Sequence, residues 1–306
     1  MLRLLEAFLS NVVELKKYDQ EKQKKTLNKI FVYALAWSFG GSIDSQHHSS
    51  FEVFLSMAFN VSDLPRSSIF DNVFKTDGEQ LEFEPWTNSM PSFDYSKDKS
   101  YFELVVPTKD TIRFSWLLTQ NIQCEFPVFV TGITGVGKSI IIADAIKRLK
   151  AKGTHEGIFL SFSSQTAAKE TQLMIEDKLE KKKRTCLTGP NNRNAILFVD
   201  DVNMPAYDLF GTQAPIELCR TLVDFKFLYD RHSLERKDVE KTTMVVCAAP
   251  PEGGRKVLTP RFTRHFHTLC LPPTQEDSLE MIFSQILNGF FADFKQEIRG
   301  LTKNIV

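Results

Sequence analysis

The run Gly132-Ile-Thr-Gly-Val-Gly-Lys-Ser139 constrains this 306-residue chain more than any other stretch. It matches G-x-x-x-x-G-K-[ST], a phosphate-binding loop that works only between a buried strand and the start of a helix. Both flanks are there. Pro127-Val-Phe-Val-Thr131 reads as a short buried strand, and Ser139-Ile-Ile-Ile-Ala-Asp-Ala-Ile-Lys-Arg-Leu-Lys150 reads as a helix. Gly132, Gly135 and Gly137 let the backbone wrap close to a phosphate and take φ > 0 where the turn requires it. The amides then point inward and the helix N-terminus adds partial positive charge. The candidate nucleotide contacts run from Gly132 through Ile133, Thr134, Gly135, Val136, Gly137, Lys138 and Ser139 to Ile140. Lys138 is expected to reach the β- and γ-phosphates, and the Ser139 hydroxyl to ligate Mg²⁺.

Some sixty residues on, Ala195-Ile-Leu-Phe-Val-Asp-Asp201 is a continuous apolar strand ending in two acids. Asp200 is expected to hold Mg²⁺ mostly through water, and Asp201 to orient an attacking water as general base. Between the two motifs, Gly157-Ile-Phe-Leu-Ser-Phe162 reads as a strand and Ser163 to Arg184 as a helix. That helix ends in the basic run Lys181-Lys-Lys-Arg184, read as a solvated helix end favoured by the dipole rather than as a nucleic-acid patch. Thr242-Thr-Met-Val-Val-Cys-Ala-Ala249 is a further buried strand, broken by Pro250-Pro-Glu-Gly-Gly254. Arg255, Arg261 and Arg264 follow; each suits either a phosphate or a surface ion pair.

The rest of the chain is ordinary in bulk. Thirty-eight basic and thirty-eight acidic side chains cancel, so charge gives no reason to expect nucleic acid or an anionic membrane as partner. Five scattered cysteines without a C-x-x-C argue against a disulfide framework or structural zinc, and Cys247 reads as simply buried. His47-His48 and His265-x-His267 lack a carboxylate pattern for a metal. The apolar run Ile30 to Phe39 is too short to cross a bilayer, and Arg3 and Glu6 interrupt any signal-peptide core, so a soluble protein is expected. Leu2, Leu5, Phe8, Leu9, Val12, Val13 and Leu15 make an apolar stripe ahead of a charged stretch, Lys16 to Lys29. Ile30 to Phe39 is apolar all round and must be a buried helix, stopped by Gly40-Gly41. A further helical pattern covers His47 to Met57, so residues 1–62 read as a helical unit. Residues 63–100, rich in proline and aromatics, read as a connecting segment laid over a surface. Tyr101 to Thr108 begins as a strand, and Thr111 to Gln120 is an amphipathic helix capped by Thr108 or Asp110.

Several stretches resemble one family. Phe198-Val-Asp-Asp-Val-Asn-Met-Pro205, Gly211-Thr-Gln-Ala-Pro-Ile-Glu-Leu218 and Tyr229-Asp-Arg231 look like the third AAA+ module of an axonemal dynein heavy chain. Val106-Pro-Thr-Lys-Asp-Thr-Ile-Arg113, Phe162-Ser-Ser-Gln-Thr166 and Thr259-Pro-Arg-Phe-Thr-Arg-His265 agree. Trp37-Ser-Phe-Gly-Gly-Ser-Ile-Asp44 is similar to the end of the second module's helical lid. The resemblance implies an α/β fold: a P-loop NTPase AAA+ large domain, a parallel sheet flanked by helices, with partial helical lids on either side. It divides the chain into a lid remnant (1–62), a connecting segment (63–100), the large domain (101–273) and the start of the next lid (274–306).

The resemblance also implies ATP or ADP with Mg²⁺ as ligands, and a module that gates a microtubule motor allosterically. The expected partners are the other AAA+ modules of one ring and, through the full-length chain, dynein intermediate and light chains and microtubules. The expected setting is the cytoplasm and cytoskeleton, in the axoneme of a cilium or flagellum. Val106 and Pro107 fall on the family's adenine-side loop, although a plain capped turn explains them equally. Arg261 falls at the arginine finger that serves the preceding module's pocket. Two departures stand out. The catalytic glutamate is replaced by Asp201, one methylene shorter, so weak or no hydrolysis is expected. Val245 to Ala249 lacks the asparagine that senses the γ-phosphate in many AAA+ proteins. The rest of the lid is expected to lie beyond Val306, in a chain that is either a short gene product or part of a longer sequence. The rival expectations are a non-catalytic scaffold with a vestigial pocket and a free-standing ring-forming ATPase.

Overall fold

The computed structural model describes residues 1–10, 19–59, 64–75, 82–97, 104–296, 300 and 302–306. Three helices, α1 (Leu2–Leu9), α2 (Gln20–Phe39) and α3 (His48–Phe59), precede an antiparallel hairpin of β1 (Asn72–Phe74) and β2 (Phe83–Pro85). Helix α4 (Lys109–Gln123) leads into β3 (Val128–Thr131), α5 (Lys138–Ala151), β4 (His155–Ser161) and α6 (Ala168–Lys178). Then come β5 (Glu180–Lys183), β6 (Cys186–Thr188), β7 (Asn194–Asp200), α7 (Ala214–Phe225), β8 (Phe227–Tyr229), β9 (Arg236–Val239) and β10 (Thr242–Ala248). The chain closes with α8 (Pro260–Thr263), β11 (His267–Cys270), α9 (Glu276–Phe290) and α10 (Thr302–Ile305).

The main sheet has five parallel strands in the order β11-β3-β10-β7-β4. Helices cover both faces, so β10 is buried along its whole length and β7 at all but its end residues. Side chains still alternate between faces, as the strand period requires. Val128, Val130, Ile196, Phe198, Val245 and Cys247 join a core with the N-terminal helices, α4 and α5. Ala195, Leu197, Val199, Met244, Val246 and Ala248 join a second core with α6 and α7. The first core runs without interruption from Leu4 and Phe8 through Trp37 and Phe70 to the sheet.

Several expectations are corrected here. Ser163 to Arg184 is not one helix. Thr166 Oγ1 accepts from the Ser163 amide at 2.8 Å, a turn that delays the helix to Ala168. At the other end Leu179 takes an extended conformation (φ −94°, ψ 148°) and buries its side chain in the second core. The basic run therefore lies mostly in β5, an exposed strand of a second sheet ordered β5-β6-β9-β8. Its charges are paired with acids just outside β9, Lys182 with Glu240 at 2.7 Å and Arg184 with Glu235 at 2.6 Å.

Residues 16–18 of the charged stretch lie outside the described residues, and residues 20–29 form one helix, α2, with the apolar run after them. It starts where Asp19 caps it, with Oδ1 accepting from the Lys22 amide at 2.7 Å. In α1 the buried face is Leu4, Ala7 and Phe8, and Leu2 is exposed; Val12, Val13 and Leu15 lie outside the described residues. Gly40 ends α2 in a right-handed conformation (φ −69°), so no left-handed cap selects it. Close approach does: a Cβ there would sit 2.4 Å from the Phe70 ring. Leu104 to Pro107 forms no strand; 101–103 lies outside the described residues. Within 63–100, Phe70, Phe74 and Trp86 are core residues rather than a surface layer, and Trp86 Nε1 donates to the Phe70 carbonyl at 3.2 Å.

Candidate nucleotide site

The phosphate loop joins β3 to α5. Gly132, Gly135 and Gly137 all have positive φ, at 151°, 91° and 81°. At Gly132 a Cβ would also meet the carbonyl of Leu271, the residue after β11, at 2.8 Å, so the backbone there leaves no room for a side chain. Val136 packs on the first core, while Ile133, Thr134 and Gly135 face solvent. The Lys138 ammonium is buried and donates to the Gly132 and Ile133 carbonyls at 2.9 and 2.8 Å. Burial lowers its pKa, with Cys247, Asp201 and Asp200 opposing that effect and Arg255 adding to it.

Strand order decides what stands beside the loop. Strand β10 lies between β3 and β7, so Cys247 sits between the serine of the loop and the acid that ends β7. The Cys247 thiol donates to Asp200 Oδ1 at 2.7 Å, and its sulfur lies 3.9 Å from Ser139 Oγ. Burial first, and then the adjacent Asp200 carboxylate, push this thiol up to about 12. It is therefore a neutral donor at any physiological pH. Asp200 Oδ1 also accepts from the Asp201 amide at 3.0 Å. Ser139 and Asp200 thus converge on one point beside the helix N-terminus. A hydroxyl and a carboxylate, completed by water and phosphate oxygens, are the donors an octahedral Mg²⁺ takes. The residues present fit Mg²⁺ and a nucleotide phosphate chain.

Asp201 differs from a poised base. Its backbone is left-handed (φ 50°) and its carboxylate is paired: Arg255 Nε lies 3.7 Å from Oδ1. Asn203 fixes the Arg255 loop at both ends. Its Nδ2 donates to the Ala249 carbonyl at 2.9 Å, and its own carbonyl accepts from the Lys256 amide at 2.8 Å. That loop and the exposed part of the phosphate loop enclose a cleft of about 270 Å³.

The remaining candidates lie elsewhere. Pro107 shares a cleft of about 700 Å³ with Ile140; it runs along α5 as far as Ala151. Val106 is buried one residue earlier, two residues before Thr108, which caps α4 in a reciprocal box with Thr111. Arg261 is 68% exposed on α8 and lies 3.8 Å from Glu217 on α7. Arg264 pairs in the same way with Asp224 at 3.9 Å. Arg261 alone falls at the family's finger position, while the sequence places Cys247 in a core and gives Arg255 no role that sets it apart. The signal that separates them is topological, because only the insertion of β10 between β3 and β7 brings both to Asp200 and Asp201.

The parallel sheet flanked by helices, with the glycine loop between β3 and α5, is the AAA+ P-loop NTPase fold. Residues 93–274 match the family model described as the P-loop containing dynein motor region, and residues 1–88 match the dynein heavy chain AAA lid domain. The chain is 39% identical over 291 residues to human dynein axonemal heavy chain 6, covering 94% of this chain and 7% of that protein. It is 33% identical to human dynein axonemal heavy chain 1, covering 95% of this chain and 7% of that one. It is 29% identical to mouse dynein axonemal heavy chain 3, at 95% and 8% coverage. The chain belongs to the dynein heavy chain family, and spans less than a tenth of the length of these relatives.

Proposed function

We propose that this chain is an ATP- and ADP-binding AAA+ module of an axonemal dynein heavy chain that gates the motor allosterically, with weak or no hydrolysis of its own. It corresponds to the third module of the ring. The large domain occupies 101–273, preceded by the end of the second module's lid (1–62) and a connecting segment (63–100), and followed by the start of its own lid (274–306). One observation carries the reading. Ser139 and Asp200 both meet Cys247 at the start of the helix that carries Lys138, which supports reading them as the phosphate and Mg²⁺ ligands, while Asp201, at the base position, is short, left-handed and paired with Arg255. Bound Mg²⁺ would neutralise phosphate charge. The chain's own residues hold the phosphates and leave the water-activating position weak. Val106 and Pro107 are read as the adenine side, a reading supported by the cleft that Pro107 shares with Ile140, and Arg261, which is exposed, as the finger for the pocket of the preceding module. The partners are the other AAA+ modules of the ring and, through the full-length chain, intermediate and light chains and microtubules. The setting is the ciliary or flagellar axoneme.

The test is calorimetric titration of the 306-residue chain and of Lys138→Ala with Mg·ATP and Mg·ADP, with phosphate release followed in parallel. Micromolar binding by wild type, lost in the variant, with negligible release is the expected result. Brisk turnover that requires Asp201 would instead make this an active ATPase. A folded wild type that binds neither nucleotide would make it a scaffold with a vestigial pocket, and nucleotide-dependent rings a free-standing ATPase.

A further inference from the structure

Arg255 is the unexplained charge of this site. Its Nε is buried without a hydrogen-bond partner, and Asp201 Oδ1 at 3.7 Å offers only an ion pair. A buried guanidinium donor left unmade is costly. The arrangement is nonetheless built rather than loose, because Asn203 clamps the loop on both sides of Arg255. The arginine lines the same cleft as Ile133 and Thr134, the exposed part of the phosphate loop. Arg261 and Arg264 do not line this cleft; they are exposed beside Glu217 and Asp224 on α7.

We propose that Arg255 reads the terminal phosphate of a nucleoside triphosphate within its own module, and that it rests on Asp201 when that phosphate is absent. This deepens the nucleotide-binding reading and depends on it. The chemistry favours the exchange. A guanidinium presents a planar fork of donors that matches phosphate oxygens, and Asp201 takes none of them in a hydrogen bond. A γ-phosphate brings more charge than one carboxylate and accepts where Arg255 has a donor to spare. A diphosphate ends one group short, leaving Arg255 on Asp201. Triphosphate binding therefore moves the arginine and releases the Asp201 carboxylate in one step, which makes the two nucleotide states structurally distinct.

Affinities for Mg·ADP and for the non-hydrolysable Mg·β,γ-imido-ATP are to be measured by calorimetry on wild type, Arg255→Ala, Arg255→Lys, Asp201→Asn and Lys138→Ala, each checked by thermal melting. Arg255→Ala is expected to lose about tenfold to a hundredfold in triphosphate affinity, the effect of removing a charged hydrogen bond, with diphosphate affinity within about threefold. Arg255→Lys should recover part of the loss, and Asp201→Asn should tighten triphosphate binding by freeing the parked arginine. If Arg255→Ala weakens both nucleotides equally, or neither, the inference is overturned. Should that variant fail to fold, an Asp201→Asn affinity ratio identical to wild type overturns it. If folded wild type and Lys138→Ala are alike in binding nothing, the nucleotide reading itself fails, which is a separate outcome.

Discussion

Cys247 shows how a residue that reads as core can be part of a site. Its thiol is buried, neutral and bonded to Asp200, so it should resist alkylation while the partly exposed Cys124 and Cys270 react. Iodoacetamide at pH 8 followed by peptide mass spectrometry should label Cys124 and Cys270 in the folded chain and reach Cys247 only after denaturant. Labelling of all three at equal rates would contradict the thiol's placement. Cys219 lies fully buried in the second core, and burial pushes its pKa up to about 12 from an ordinary 9.0. The sign follows directly. Above pH 9 the unfolded chain loses a proton that the folded chain keeps, so stability falls with rising pH until about 12. The slope is about 1.4 kcal/mol per pH unit for each such thiol. Thermal melts from pH 8 to 11 should show this fall, and Cys219→Ala should flatten it.

Secondary-structure elements were legible where local chemistry fixes their ends. Thr108 announces α4, and the reciprocal Thr108–Thr111 box bears it out. Thr108→Ala should cost about 1 kcal/mol in chemical denaturation. Elements decided by distant partners were not legible. β5 looked like a helix end because its lysines carry no periodic apolar face, and only pairing with β6 makes it a strand. Gly40 looked like a helix stop, yet its backbone suits any residue and the Phe70 ring excludes a side chain. Gly40→Ala should therefore destabilise by about 1–3 kcal/mol through overpacking, where a free helix end would tolerate it. His267 makes the same point on β11. It is half-buried against α2, with Nε2 3.2 Å from the Trp37 carbonyl, and desolvation lowers its pKa to about 4. Protonation thus favours the unfolded chain: its stability contribution is complete above about pH 6.5 and is lost as pH falls toward 4. Melts between pH 7 and 5 should fall for wild type and less steeply for His267→Gln.

At the scale of the molecule, α9 stands apart, because none of its residues is buried. Leu279, Phe283 and Phe290 are exposed at a spacing that places them along one helix face. An apolar stripe of this kind promotes association. The isolated 306-residue chain should sediment as concentration-dependent oligomers, and Leu279→Glu with Phe283→Glu should shift it towards monomer with little change in melting temperature. A wild type that stays monomeric and monodisperse at high concentration would count against this. Among the described residues no helix is long and apolar enough to cross a membrane. The sequence by itself determined the phosphate loop, its flanking strand and helix, and the Asp200–Asp201 strand end, because each is encoded in a contiguous run whose spacing is its chemistry. Only the tertiary structure decided that the N-terminal helices share one core with the sheet, that Cys247 holds Asp200, and that Arg255 rather than Arg261 faces Asp201. The last two depend on β10 passing between β3 and β7, and both strand order and the shared core are set by long-range burial that no local run records.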